Sequence, residues 1–290
     1  MQKIFISFAL TTLAFQAHSQ TTPVVSTSQT EIVQVPLQRP LKASFLTASY
    51  ASMENSNQGN GEVSTYSQLR LDYKLANSQS VRFNQLISTS WGSKGESKIA
   101  DPYLQYAKSN LASLPYNFII NTHVRAFFPL SETSQERGQS FSTRVGLELY
   151  KEINKNNSIS LHLMPTYNFS SRNSYLTSDG TGGKIRKPNN HVNLWYYLSA
   201  TSAFSEKWSF TQDLGLMRYW FRSDSENNIT GTTKEYFYAD SGITYTINDN
   251  FDVGGGLSSY LSRDMLAQKN QFSIYRSDET DYYLTASMRY

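Results

Sequence analysis

Residues 63–75, "VSTYSQLRLDYKL", alternate without a break. Val63, Thr65, Ser67, Leu69, Leu71, Tyr73 and Leu75 fall on one face, and Ser64, Tyr66, Gln68, Arg70, Asp72 and Lys74 fall on the other. Period two sustained over such a run belongs to a strand and fits no helix. Ordinary strands stop after about 5–6 residues. The better match is the strand of about 9–11 residues that crosses a bilayer at a tilt.

The pattern recurs along the chain. "VRFNQLISTSW" (81–91) sets Val81, Phe83, Ile87 and Trp91 against Arg82, Asn84 and Ser88. "SFSTRVGLELY" (140–150) and "SISLHLMPTYNF" (158–169) behave alike. Further segments are 43–53, 98–108, 116–129, 191–204, 208–221, 234–247, 251–262 and 280–290. The total is about twelve, an even number, as single-chain bacterial barrels require. With the amino terminus inside, every second connection is short: 76–80, 154–158, 205–207 and 248–250, with 109–115 somewhat longer. The alternate set is long and polar: 54–62, 131–139, 171–190, 222–232 and 263–279. Short periplasmic turns opposed to long extracellular loops predict an all-β, transmembrane, antiparallel up-and-down β-barrel. Aromatics near strand ends, among them Trp91, Tyr116, Phe128, Trp208 and Trp220, suit interfacial girdles.

The remaining features agree with export. Residues 1–19 carry Lys3, an apolar run from Ile4 to Phe15, and small residues at Ala17 and Ser19. That is the pattern of a signal peptide, too short to span a bilayer. The chain has no Cys, so no disulfide framework is expected. A net charge of +3 is too small to argue for nucleic acid or any strongly charged partner, and no nucleic acid is expected. Residues 20–41 lack period and read as a periplasmic extension or a plug. The barrel is expected over 42–290.

The final residues, "DYYLTASMRY", place Tyr282, Leu284, Ala286, Met288 and Tyr290 on one face. This resembles the carboxy-terminal signature of Gram-negative outer-membrane β-barrel proteins. The resemblance implies an integral outer-membrane location and a strand read by the β-barrel assembly machinery. It extends over the whole mature chain as architecture and reaches no subfamily. Twelve-strand barrels of this kind include porins for acidic sugars, nucleoside channels, phospholipases and autotransporter translocators.

The inward face of this register holds Arg70, Lys74, Arg82, Arg125, Arg144 and Arg289 against Asp72, Asp101, Glu148, Asp213, Asp240 and Asp252. Acidic-sugar porins carry strongly basic lumens, whereas these signs nearly balance. His123, His162 and His191 also face inward but at different heights, so they form no metal site. Ser160 and His162 could pair as nucleophile and base, yet they point away from lipid. No cofactor or catalytic residue is expected. Arg172, Lys184, Arg186 and Lys187, against the single Asp179, could meet lipopolysaccharide phosphates in the 171–190 loop, although an ordinary solvated loop explains them too. "VGGGL" (253–257) suits a bend or a close approach in the wall. The leading expectation is a passive channel for small hydrophilic solutes, embedded among outer-membrane lipids. A non-conducting surface-contact barrel and a lipid-modifying enzyme are the alternatives.

Overall fold

Long strands pair side by side until the first meets the last. The computed structural model describes residues 41–52, 63–76, 78–91, 96–178, 183–262, 275 and 280–290. The expected signal peptide (1–19) and nearly all of the 20–41 extension lie outside these residues. The strands are β1 (Leu41–Ser52), β2 (Val63–Ala76), β3 (Gln79–Trp91), β4 (Ser97–Ile99), β5 (Tyr103–Leu114), β6 (Phe118–Phe127), β7 (Gln139–Asn154), β8 (Asn157–Ser170), β9 (Ser174–Ser178), β10 (Lys184–Pro188), β11 (Asn190–Ala203), β12 (Trp208–Phe221), β13 (Thr233–Asn248), β14 (Phe251–Ser262) and β15 (Thr280–Arg289). One sheet runs β2-β1-β15-β14-β13-β12-β11-β8-β7-β6-β5-β3, and β2 also pairs with β3. The ring is therefore closed, twelve-stranded and antiparallel throughout. Short β4 adds to the loop end of β3, and β9 and β10 form a separate hairpin.

Closure decides which face is which. On β8, Leu161, Leu163, Tyr167 and Phe169 are exposed outside, while Ser160, His162, Met164 and Thr166 are buried inside. Among the described residues, charges on the outward face are confined to strand ends. Lys108 and Lys151 sit near the turns, and Arg218 pairs with Glu235 at 2.8 Å near the loops. Exposed Trp91, Tyr116, Phe204 and Trp208 mark the two rims.

One strand departs from the sequence expectation. The segment 98–108 is not a single strand, because Pro102, which has no N–H to donate, separates β4 from β5. Of the stretch 109–115, expected as a connection, residues 109–114 belong instead to the bulged end of β5. Asn110 adopts φ 52° and donates its N–H to Asn121 Oδ1 at 3.0 Å, and the register shifts between Lys108 and Ala112. Asn tolerates this left-handed conformation, so a turn-like composition builds a bulge. The true turn is Pro115–Asn117, which leaves the turn end of the barrel with short connections only.

The loop end carries structure of its own. A short helix, α1 (Glu132–Glu136), occupies the loop between β6 and β7. Ser174, opening β9, donates its hydroxyl to Asp224 in the 222–232 loop, and Asn227 Nδ2 donates to the same carboxylate at 2.9 Å. These donors, Ser174 foremost, hold the Asp224 carboxyl below the usual carboxylate range. A depressed pKa gives stability that is present above the unfolded value of about 3.9 and is lost as pH falls through the folded one. The clamp between hairpin and loop is thus expected to hold at neutral pH and to release in strong acid. The protection factors of the Tyr175–Thr177 amides, exchange rates divided into the intrinsic rate at each pH, should fall between pH 7 and pH 3 in the native chain, and Asp224→Asn should remove most of that difference.

The glycine run of β14 serves a close approach. Tyr283 on β15 lies inward across β14 to β13, where its hydroxyl donates to Asp240 Oδ1 at 2.9 Å. Its phenol passes over Gly256 and Gly242, where any Cβ would overlap the ring end. Gly242→Leu is therefore expected to displace Tyr283 and to cost about 1–3 kcal/mol, read as a lower urea midpoint for barrel unfolding.

Candidate functional site: the charged lumen

Two cross-strand rows dominate the inner wall. The first runs Arg82, Gln105, Arg125, Arg144, Thr166 and Asn193, each opposite the next on β3, β5, β6, β7, β8 and β11. The second runs Ser160, Ser199, Asp213, Asp240, Ser258 and Asp281, on β8, β11, β12, β13, β14 and β15. Arg82, Arg125 and Arg144 thus lie in one row and Asp213, Asp240 and Asp281 in the other, while Asp72 stands on β2 next to the first row, Glu148 on one of its strands and Arg289 on a strand of the second. Arg82 on β3 and Asp213 on β12 stand six strand steps apart, halfway round the twelve-strand ring.

The arcs also overlap in height. The first row begins at Arg82, close to the turn end of β3, and reaches Tyr219, close to the loop end of β12, so it climbs as it goes round. Strands about 4.7 Å apart and tilted about 45° raise such a row by about 3 Å per strand. Three strands beyond Arg144, Tyr219 therefore stands about 10 Å higher, and Asp213, six residues back toward the turns, lies about 14 Å below Tyr219. Asp213 comes out about 4 Å below the level of Arg144, and Asp240 nearly level with it.

The basic arc lies along its wall. Arg125 Nε donates to Gln105 Oε1 at 2.7 Å, and its guanidinium stacks 5.0 Å from the Tyr103 ring centre. Arg144 Nε donates to Thr166 Oγ1 at 2.8 Å, between the rings of Phe127 and Trp195 at 5.3 Å each. Both arginines are 1% exposed. Arg82 and Arg70 both bond Asp72 nearer the turns.

The acidic arc is built differently. Asp213 and Asp240 face one another directly across β12 and β13 and are 2% and 1% exposed. Their donors are hydroxyls: Tyr283 and Ser258 to Asp240, and Ser199 to Asp213. Among the described residues neither carboxylate has a cationic partner. Like charges directly opposite one another destabilise a strand pair. Asp213→Asn, which keeps an acceptor for Ser199, is expected to raise barrel stability by about 0.5–1 kcal/mol, measured as a higher urea midpoint.

The other residues singled out from the sequence fall at several levels. Asp101 does not line the strand wall: it sits next to Pro102, before β5, where it accepts from Ser131 N at 2.7 Å and from the Ser134 hydroxyl, tying down α1. His123 lies on β6 with its ring over Gly146, where a Cβ would collide with it. Glu148 accepts from Asn121 Nδ2 at 2.9 Å. Ser160 Oγ meets His162 Nε2 at 2.7 Å, and Glu148 Oε1 stands 3.7 Å from that same nitrogen. A hydrolytic triad needs nucleophile and acid on different ring nitrogens. Here the imidazole stacks on Tyr197 at 4.4 Å and braces the wall. The Glu148–His162 pairing crosses two strands and leaves no trace in local spacing. Among the described residues no group of three or more His, Cys, Asp or Glu could hold a metal ion. Tyr282, Leu284, Ala286, Met288 and Tyr290 alternate with inward Asp281 and Tyr283, and Tyr282, Leu284 and Tyr290 are exposed. Arg172, Lys184, Arg186 and Lys187 sit on or beside the β9–β10 hairpin, where Arg186 Nη1 donates to Ser174 Oγ at 3.2 Å. Asp179 lies outside the described residues.

No protein-family model matches this chain, and no curated protein matches it in sequence. Solved structures do match in fold. An outer-membrane channel from Pseudomonas putida F1 has a TM-score of 0.55 at 12% identity, covering 87% of this chain and 96% of that one. The NanC porin gives 0.49 at 9% identity, covering 84% of this chain and 98% of its own. The KdgM porin in complex with disordered oligogalacturonate gives 0.48 at 8%, with coverages of 84% and 98%. A closed twelve-strand wall, apolar outside and charged within, is stable only where lipid surrounds it. The chain is an integral outer-membrane β-barrel. Its short turns accordingly face the periplasm and its long loops the exterior.

Proposed function

We propose that this outer-membrane barrel is a passive channel for small hydrophilic solutes. The observation that carries the reading is the pair of polar, ionisable rows inside the closed wall: a lumen built only to be filled has no use for Asp213 and Asp240 set against one another. The Pseudomonas neighbour is described as an outer-membrane channel, and the proposal extends that description to this chain. Twelve strands lie between barrels of about eight, which side chains fill, and those of about 16–18, which hold wide pores. A narrow path is the expected outcome.

A second reading, a barrel braced shut, has one observation in its favour. Arg125, Arg144, Asp213 and Asp240 are all at most 2% exposed. Planar-bilayer recordings separate the two. Stepwise conductance increments, unaltered by Ser160→Ala, are expected of the channel; silent membranes from several correctly folded preparations would favour the closed barrel. A lipid-modifying enzyme ranks below both, because Ser160 and Glu148 share one nitrogen of His162. Purified protein is expected to leave phospholipid intact. Outside the pore, Arg186 and Lys187 are taken as contacts for lipopolysaccharide phosphates, and the β15 outer face as the stretch read during assembly.

A further inference from the structure

We infer that the middle of the lumen favours small zwitterions, solutes bearing an ammonium and a carboxylate a few ångströms apart, through a transverse electric field between the Arg125–Arg144 wall and the Asp213–Asp240 wall. The inference rests on the channel reading and names the solute class for it. Its first support is the segregation of charge. Positive and negative side chains mingle elsewhere on the wall, as in Arg82–Asp72 and Arg289–Asp252, but at this level the register puts Arg125 and Arg144 on one arc and Asp213 and Asp240 on another, three to five strand steps away. A solute with one net charge is drawn to one wall and repelled by the other. A dipolar solute gains at both, and walls of low dielectric focus the field on it.

The second support is the supply of acceptors on the acidic side. Asp213 Oδ1 and Asp240 Oδ2 are buried and have no hydrogen-bond partner among the described residues. The hydroxyls of Tyr238 and Tyr260, cross-strand partners of one another, likewise have none among those residues. Tyr238 shares the inward face of β13 with Asp240, two residues away, and is 5% exposed. Buried polar atoms normally find partners, and each exception calls for an explanation. An ammonium offers three N–H donors and matches this set of oxygens. Across the lumen a guanidinium fork is the matching group for a carboxylate. A neutral solute of the same size would use neither.

The test is osmotic swelling of proteoliposomes with two isomers of equal mass, alanine and the uncharged lactamide. Alanine is expected to enter at least about threefold faster than lactamide. Asp213→Asn/Asp240→Asn, checked for folding by heat-modifiable gel mobility, should bring that ratio to about one. Equal rates in the native protein, or faster lactamide, would overturn the inference while leaving the channel intact. A folded double variant that keeps the native ratio would overturn it as well. Absence of swelling with either solute would overturn the channel reading and this inference with it. The native isomer comparison needs no variant and so decides even if the double substitution fails to fold.

Discussion

Every backbone N–H and C=O in the hydrocarbon layer must find a partner within the protein, because lipid offers none. For a chain of strands that requirement has one solution: a sheet with no edge. The closed ring from β2 through β15 and back by the β2–β3 pairing meets it, and the other features follow. Closure gives the wall an inside and an outside, and period two then assigns every residue to one of them. The same side-chain chemistry has opposite meanings on the two faces. Leu161 and Leu163 are exposed because they meet lipid, and Arg125 and Arg144 are buried because they do not.

Much of this architecture could be read directly from the residues. Alternation located eleven of the ring's strands within a few positions, since a one-residue slip would put charge into lipid. The fourth strand of the ring, β5, departs from the expectation for two local reasons. Pro102 splits the segment, and Asn110 disguises a bulge as a turn. Secondary structure inside the loops, α1 and the β9–β10 hairpin, was not foreseen, because no sustained period announces elements of about five residues.

The site divides along the same line. Face was legible, so Arg82, Arg125, Arg144, Asp213 and Asp240 could be assigned to the interior one strand at a time. Arrangement was not, because it depends on pairing between strands and on the climb of each row around a tilted cylinder. A list of inward charges reads as balanced, whereas the register sets Arg125 beside Arg144 and Asp213 beside Asp240 on separate strands of the ring. Contacts such as Tyr283 over Gly242 and Gly256, or Glu148 beside His162, are likewise products of register. The glycine run was noticeable in the sequence, but the ring that needs it lies on another strand.

The seam between β1 and β15 bears on how the molecule forms. Ser44 pairs with Arg289 and Phe45 with Met288, so this ladder joins segments some 245 positions apart in the sequence. Most other neighbours in the ring are hairpins that can zip from a short turn. Contacts between residues so distant in sequence carry the largest loop-closure entropy and tend to slow folding. Until that ladder forms, β1 and β15 each present an open edge able to pair with another chain. The slow stage of this protein's life is thus expected at the seam, where a chaperone or an assembly factor has most to gain by holding two strands together.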